Sequence, residues 1–455
     1  MNSLITVYIT NYNYAEYIEA AIKSVLEQKN VDFELFIIDD GSNDDSRSII
    51  ENYRNIENVT IVYQQNKGLN VTNNIALRLS NGDYIMRLDA DDYLEPDALT
   101  KLSSQLDIDP DLGLVFPDYY VVDELGNLIE HHKRHDFKKE VTLFDQAAHG
   151  ACTMIRVDFL KSLGGYNENY KCQDGYELWI KFINKFKVAN VSLPLFNYRQ
   201  HGSNLTGNEN RILGTRAQIN ADYIKSLKID NNAIAIIPVR NKKDKYYKLD
   251  FDGESLLNLK IKEALKSNLI QQIIISSPDI EVKDFIAKPL LENPKVKFFQ
   301  RSEASSQVNV SLDSSMLEIS NSKLLNPNFN KIAILDLRYP LLSYLKIDDA
   351  INTILLFGAN SLVSVRPENS VFFKHDGTGM KSLFREEDMS KLERNVVYKH
   401  VGGITVTDIS SFEKSKKIIH GKVGHIVLDK NSSYIIETSE DLNIASKINE
   451  QYQII

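Results

Sequence analysis

The stretch YIMRLDADDYLEP, residues 84–96, sets Asp89, Asp91, Asp92 and Glu95 within seven positions directly after an apolar run. Carboxylates at that spacing have three readings. They can form a solvated turn, the ordinary state of an Asp-rich loop. They can form a calcium loop, although the glycine and the distal glutamate of an EF-hand are missing. Or one or two of them can hold a hard divalent cation while phosphate oxygens fill its other positions, the usual way magnesium or manganese is bound with a nucleotide.

The elements around the acids narrow the choice. Tyr84, Met86 and Leu88, with Ile85 between them, predict a buried strand that stops where the acids begin. ITVYIT, residues 5–10, predicts a first strand, and Tyr17, Ile18, Ala21, Ile22, Val25 and Leu26 then recur at helical spacing. FELFIIDD predicts a second strand ending in acids, SNDDSRSIIENY a helix and TIVYQQ a third strand. Alternation of this kind implies an α/β fold with an open, mostly parallel, doubly wound sheet. Such sheets take ligands outside the carboxyl ends of their strands. TNYN, DDGSND and DADD, the loops after the first, second and fourth strands, then share one rim. A second series of strand, loop, helix and strand begins with AIAIIPVRN after the polar KSLKIDNN. Two Rossmann-like domains are therefore expected, over 1–228 and 229–455.

Composition sets limits on partners. The 455 residues carry 53 basic and 62 acidic side chains, a formal charge of −9, which argues against a broad nucleic-acid footprint. Cys152 and Cys172 are too few for a disulfide framework and lack zinc-ligand spacing, so a reducing compartment is expected. The N-terminus has no basic leader region and reads as a core strand. The least charged stretch, NTILLFGANSLVSV, falls short of a bilayer span. The expectation is a cytoplasmic protein, with peripheral contact at the inner face of a membrane left open.

Six ordered blocks, VYITNYNYAEYIEAAIKSVLEQ, FIIDDGSNDDS, NKGLNVTNNIAL, NGDYIMRLDADDYLEP, GGYNENYKCQDGYELWIKF and PLFNYRQHGSN, resemble the family 2 glycosyltransferases of the GT-A fold over roughly residues 3–210. The resemblance implies a nucleotide-sugar donor site on the rim. Thr10 and Asp40 match positions that contact the base and ribose, Asp40 accepting from a uracil edge, with Asn11, Asn13 and Asp39 beside them. Lys67 and Gly68 match the loop that closes over the nucleotide, where a plain turn is the other reading. Asp89, Ala90 and Asp91 match the family's Asp-x-Asp, which implies a donor diphosphate on Mg²⁺ or Mn²⁺ held by Asp89 and Asp91. The usual Ala-Arg-Asn of the third block reads Thr72, Asn73, Asn74, so an arginine expected there is absent. Asp174 matches the general base that takes a proton from the acceptor hydroxyl; the alternative is a cap on the helix bearing Leu178 and Trp179. His201 matches a histidine that returns to the metal or diphosphate, and Arg199 a diphosphate contact. His149, Gly150 and Trp179 fall where the family lines its acceptor pocket.

Blocks from AIIPVRN to IIETSEDLNIASKI resemble, over about 232–450, the cytidylyltransferases that activate acidic sugars, such as CMP-sialic acid and CMP-Kdo synthetases. The resemblance implies a glycine-rich basic loop for CTP after the first strand, because glycine lets backbone N–H groups approach phosphate. Here that loop runs from Arg240 to Lys248 without a glycine. Arg240 and Lys248 remain as phosphate candidates. Ile435 and Glu437 stand where two metal-binding aspartates are expected, and Asp441 remains beyond them. This half is expected to be a non-catalytic binding, docking or dimerising module, pairing through a hairpin within 366–398.

The function expected is metal-dependent transfer of a sugar, with inversion, from a nucleoside diphosphate donor, UDP-linked by preference, to a hydroxyl of a surface polysaccharide, glycan or lipid-linked glycan. Two alternatives stand beside it. One is a bifunctional enzyme whose second half activates an acidic sugar with CTP; the other is a non-catalytic nucleotide-sugar-binding scaffold.

Overall fold

The computed structural model describes residues 3–133, 150–202, 209–240, 243–307, 310–322, 324–325, 328–368, 372–375, 377–382 and 397–452. The chain divides into two compact units, 1–215 with 371–395, and 216–370 with 396–455. The division falls at 215, inside a helix, and not at the 228 expected from the sequence.

In the first unit the chain runs β1 (Leu4–Asn11), α1 (Ile18–Leu26), β2 (Asp32–Asp39), α2 (Ser46–Glu51), β3 (Val59–Tyr63), α3 (Leu69–Leu79), β4 (Tyr84–Asp89), β5 (Tyr93–Leu94), α4 (Ala98–Ile108), β6 (Leu112–Val122), β7 (Leu128–His132), β8 (Met154–Arg156), α5 (Val157–Ser162), α6 (Asp174–Ile183) and β9 (Lys187–Arg199). The sheet order is β3-β2-β1-β4-β8-β6-β9-β5, with β7 on β6. Apolar residues on both faces of β1 and β4 fix these strands at the centre. Ile5, Val7 and Ile9 pack with Met86, Leu88 and the Ile18, Ala21, Ile22 and Val25 face of α1. Tyr8 and Ile85 point the other way, into a second layer with Phe36, Leu178 and Trp179. The period-two alternation thus feeds two helical layers.

Strands β3, β2, β1 and β4 are parallel, but β8 runs antiparallel to both β4 and β6. The sheet is mixed, which corrects the expectation of a mostly parallel one. Part of the reason is the tight turn from β6 into β7, where the Asp123 carboxylate accepts from the Leu125 and Asn127 N–H groups; a connection that short joins only antiparallel strands.

Helix α7 (Glu209–Ser226) precedes the second sheet. There follow β10 (Ala233–Pro238), β11 (Asp250–Phe251), β12 (Glu254–Ser255), α8 (Leu256–Lys266), β13 (Ile270–Ser277), α9 (Lys288–Leu291), β14 (Val296–Gln300), α10 (Leu312–Asn321), β15 (Lys331–Leu335), α11 (Tyr344–Leu356), β16 (Ser361–Glu368), β17 (Phe373–His375), β18 (Met380–Ser382), β19 (Val397–Asp408), α12 (Ile409–Ser415), β20 (Val423–Val427) and α13 (Ser439–Tyr452). The order is β14-β13-β10-β15-β19-β16-β20. Its first four strands are parallel and β19 is antiparallel to its neighbours, so this sheet is mixed too. Strands β17 and β18 form a separate antiparallel hairpin, which belongs to the first unit although it lies between strands of the second in sequence. Among the described residues no helix is long and apolar enough to cross a membrane.

Candidate active site

The register of β1 against β4 sets Thr10 opposite Asp89, and the Thr10 hydroxyl donates to Asp89 Oδ1 at 3.2 Å. The chain then turns sharply, with the Asp92 N–H on the Asp89 carbonyl. Asp91 Oδ2 lies 2.9 Å from His201 Nε2, and the His201 ring stacks on Tyr17 at 5.3 Å. His201 thus stands beside the acidic turn. Asp92 accepts the Arg199 N–H through Oδ1, while its Oδ2 is buried without a hydrogen bond among the described residues. The Arg199 guanidinium donates to the backbone carbonyls of Asp91, Asp123 and Glu124 and lies over the Tyr17 ring. Arg199 therefore braces the acidic turn. Ala90 is fully buried and contributes only its backbone to the turn.

Crowded carboxylates in a buried turn resist ionisation. Burial pushes Asp89 up to about 6; Arg87 opposes the shift, and the Asp91 and Asp174 charges reinforce it. Burial, then Asp91 and Asp89, also push Asp92 well above the usual carboxylate range. A cluster that keeps its acids partly protonated lacks positive charge, and a hard cation would supply it. Among the described residues no group of three or more His, Cys, Asp or Glu side chains has metal-binding geometry. Asp89 and Asp91 offer two carboxylates, which suits an ion that keeps its remaining positions for phosphate oxygens and water.

Across from the acids stands Asp174, 7% exposed. It is the first residue of α6, after Gln173 in a left-handed conformation, and the helix has no side-chain cap. The capping alternative is thereby set aside: the Asp174 carboxylate turns to Arg87 of β4, whose Nη1 donates to Oδ2, and to Asn73 Nδ2 at 3.4 Å. Its Oδ1 takes no such contact among the described residues. Asn73 stands where the family's arginine was expected, and the cation beside Asp174 is Arg87 of β4. Asn73 Oδ1 in turn accepts from the Tyr8 hydroxyl at 3.1 Å. Burial works against the Arg87 guanidinium, yet Asp174 and Asp89 hold its pKa above the usual arginine range. Gly150 passes close above this pair, since a Cβ there would collide with Arg87 Nη2 and lie 3.1 Å from Asp174 Oδ2. His149 lies outside the described residues. Trp179 is a core side chain, 1% exposed and edge-on to Phe116, so it does not line an acceptor pocket.

Arg87 is the residue that motif reading missed. A charged side chain in a strand whose neighbours are apolar on both faces has to find partners inside.

The remaining donor candidates form a bonded frame. Asn11 lies beside Asp39 in register, and its Nδ2 donates to Asp39 Oδ1 at 2.9 Å and to Ser42 Oγ at 3.0 Å. Asp39 also accepts from Arg47 Nε at 2.9 Å. Asn13, at φ 61°, gives its N–H to Ser42 and accepts the Asn43 N–H. Asp40 Oδ1 accepts from Gln64 Nε2 and the Lys67 N–H, and Oδ2 from the Gly68 N–H at 2.9 Å. Both Asp40 oxygens thus help hold the loop, and Oδ2, with a single N–H on it, keeps a lone pair for a further donor. Gly68 has φ 87° with open space where a Cβ would be, so glycine is needed for the backbone angle and not for room. The Lys67 side chain is exposed.

Among the described residues of the second unit the phosphate candidates form no cradle. Arg240 and Lys248 are exposed, with Lys248 Nζ 4.7 Å above the Phe285 ring. Asp244 accepts the Arg240 and Tyr246 N–H groups, closing the loop on itself. Glu437 is exposed and its carbonyl accepts from Lys245 Nζ, while Asp441 Oδ2 accepts the Glu437 and Thr438 N–H groups.

Acids at the carboxyl end of a central parallel strand, facing a second buried carboxylate across the rim, define the first unit as an α/β enzyme of the kind that binds its ligand outside the strand ends. Comparison with known proteins makes this specific. Residues 6–164 match the family described as Glycosyl transferase family 2. An uncharacterized glycosyltransferase of Methanocaldococcus jannaschii is 30% identical over 205 residues, which cover 43% of this chain and 70% of that protein. The chain belongs to glycosyl transferase family 2. Escherichia coli chondroitin synthase is 31% identical over 202 residues, 44% of this chain, and the match spans only 29% of that longer protein. The structure of S. aureus TarS 1-349 in complex with UDP-GlcNAc aligns with a TM-score of 0.42 at 20% identity, over 49% of this chain and 67% of that one.

Proposed function

We propose that the first unit is a metal-dependent GT-A glycosyltransferase that moves a sugar from a nucleoside diphosphate donor, UDP-linked by preference, to a hydroxyl of a polysaccharide or other glycan acceptor. The observation that carries this is the pairing, in one unit, of the Asp89 and Asp91 turn with an opposed, buried Asp174. Family membership and the likeness to a chondroitin synthase support it. Asp89 and Asp91 would hold Mg²⁺ or Mn²⁺, whose charge would offset that building on the leaving diphosphate. The chain supplies the rest. Asp174 Oδ1 takes the acceptor's proton while the acceptor oxygen bonds to the anomeric carbon and the bond to the diphosphate breaks. A single base opposite the leaving group suits in-line displacement with inversion. His201 and Arg199 keep the acidic turn in place.

The second unit we read as a cytidylyltransferase-like, non-catalytic module. What supports this is Asp336 at the end of β15, which Arg338 binds through Nε at 3.1 Å and Nη2 at 2.7 Å, and a phosphate loop closed on its own Asp244. Pairing of two copies through this unit is part of the reading, and light scattering at micromolar concentration should find a dimer; a monomer would rule the pairing out.

The transferase reading is tested by incubating the full chain and Mn²⁺ with UDP-, GDP- and dTDP-sugars and a panel of glycans, and measuring diphosphate release. Release with a subset of donors that disappears in Asp91→Ala supports it. Undiminished release in Asp91→Ala would contradict the metal site, and release from no donor would contradict the transferase.

A further inference from the structure

We propose that Arg87 is a positioning residue that couples the metal-binding carboxylate to the base carboxylate. One guanidinium lies between the two. Its Nε is 2.9 Å from Asp89 Oδ1 and its Nη2 3.5 Å from Asp89 Oδ2, while Nη1 donates to Asp174 Oδ2. The Arg87 side chain is 5% exposed, so its charge depends on partners inside the protein. Gly150 closes the space above Nη2, and Asn73 Nδ2 adds a contact to the same Asp174 oxygen that Arg87 holds. The guanidinium thus lies between two acids, hydrogen-bonded firmly to Asp174 and only weakly to Asp89, with Nε in ion-pair contact but without a hydrogen bond among the described residues.

The consequence follows from charge balance. A cation on Asp89 competes with Arg87 for the Asp89 oxygens, so metal loading shifts the guanidinium toward Asp174 and fixes the orientation of the base. By linkage the reverse holds: a base without its charge leaves Arg87 wholly on Asp89 and weakens the metal site. The coupling rests on the metal-dependent reading of this site.

The test is a double-mutant cycle on Mn²⁺ affinity, measured with the full chain from the electron paramagnetic resonance signal of free aqueous Mn²⁺, with no turnover required. Asp174→Asn is expected to weaken Mn²⁺ binding by about fivefold to tenfold. In an Arg87→Gln background the same change is expected to shift affinity by less than about twofold. Should Arg87→Gln fail to fold, Arg87→Lys serves instead, because an ammonium keeps the charge but lacks the fork, and it too should blunt the response to Asp174→Asn. Unchanged Mn²⁺ affinity in Asp174→Asn, or equal weakening in both backgrounds, would overturn the coupling while leaving the metal site intact. Failure of the wild-type chain to bind Mn²⁺ at all would overturn the metal-dependent reading and the coupling with it.

Discussion

Each unit brings an aspartate to the same place, the carboxyl end of the fourth parallel strand: Asp89 closes β4, and Asp336 follows β15 directly. The sheets around them share an order, third, second, first and fourth strand, then an antiparallel neighbour. Their charges are balanced differently. Asp336 is matched by the Arg338 guanidinium two residues on, and its own turn is complete. Asp89 shares Arg87 with Asp174 and stands beside Asp91 and Asp92, so the first rim holds more carboxylate than cation. The fold is common to both, and the chemistry lies in which acids are left uncompensated.

The largest expected effect separates the two units by catalysis. Asp174→Asn should lower sugar transfer by about 10²–10⁴-fold, the usual share of a general base, whereas Asp336→Asn should leave it within about twofold. Initial rates at saturating donor decide it. Equal losses would erase the distinction between the rims.

A second effect sharpens the contrast through pH. Asp89 ionises at about 6 in the folded chain against an ordinary 3.8. Between those values the folded state holds more protons than the unfolded state, so the contribution of Asp89 to stability is present at low pH and lost as pH rises through about 6. The metal-free protein should therefore lose Tm over this window, and Asp89→Asn should flatten the loss. Mn²⁺ binding should tighten over the same window as the competing proton leaves. A Tm profile indifferent to Asp89→Asn would show that the first rim is not short of positive charge.

The smallest effect belongs to the second unit. Lys260 is buried with its Nζ on the Tyr339 carbonyl at 2.7 Å, and burial lowers its pKa to about 8. Here the folded state holds fewer protons from about 8 to 10.5, so stability is gained as pH rises through 8. Lys260→Met should raise Tm at pH 7 by about 2–4 °C and remove that alkaline gain. A lower Tm would mean that the Nζ hydrogen bond outweighs the cost of the buried charge.

Much of the candidate site was legible in the sequence because its acids sit at the ends of elements, Asp89 closing β4 and Asp174 opening α6. Asp89, Asp91 and Asp174 belong to short motifs, and the alternation around β1 and β4 located their rim. What was not legible depended on pairing across the sheet. Strand β8 is three residues long, too short for a period to announce its direction. Nothing local to Asp40 shows that the Lys67 and Gly68 N–H groups return to it from 27 and 28 positions away. Trp179 lay in a site motif, yet helical phase turns it into the layer with Phe116.

The most direct test of the account is isothermal titration of the full chain with UDP and with CTP, each with and without Mn²⁺, repeated on Asp91→Ala. The account predicts that UDP binds only with Mn²⁺, that Asp91→Ala abolishes this, and that CTP finds no site in the second unit. UDP binding that ignores both Mn²⁺ and Asp91→Ala, or CTP binding in place of UDP, would contradict it.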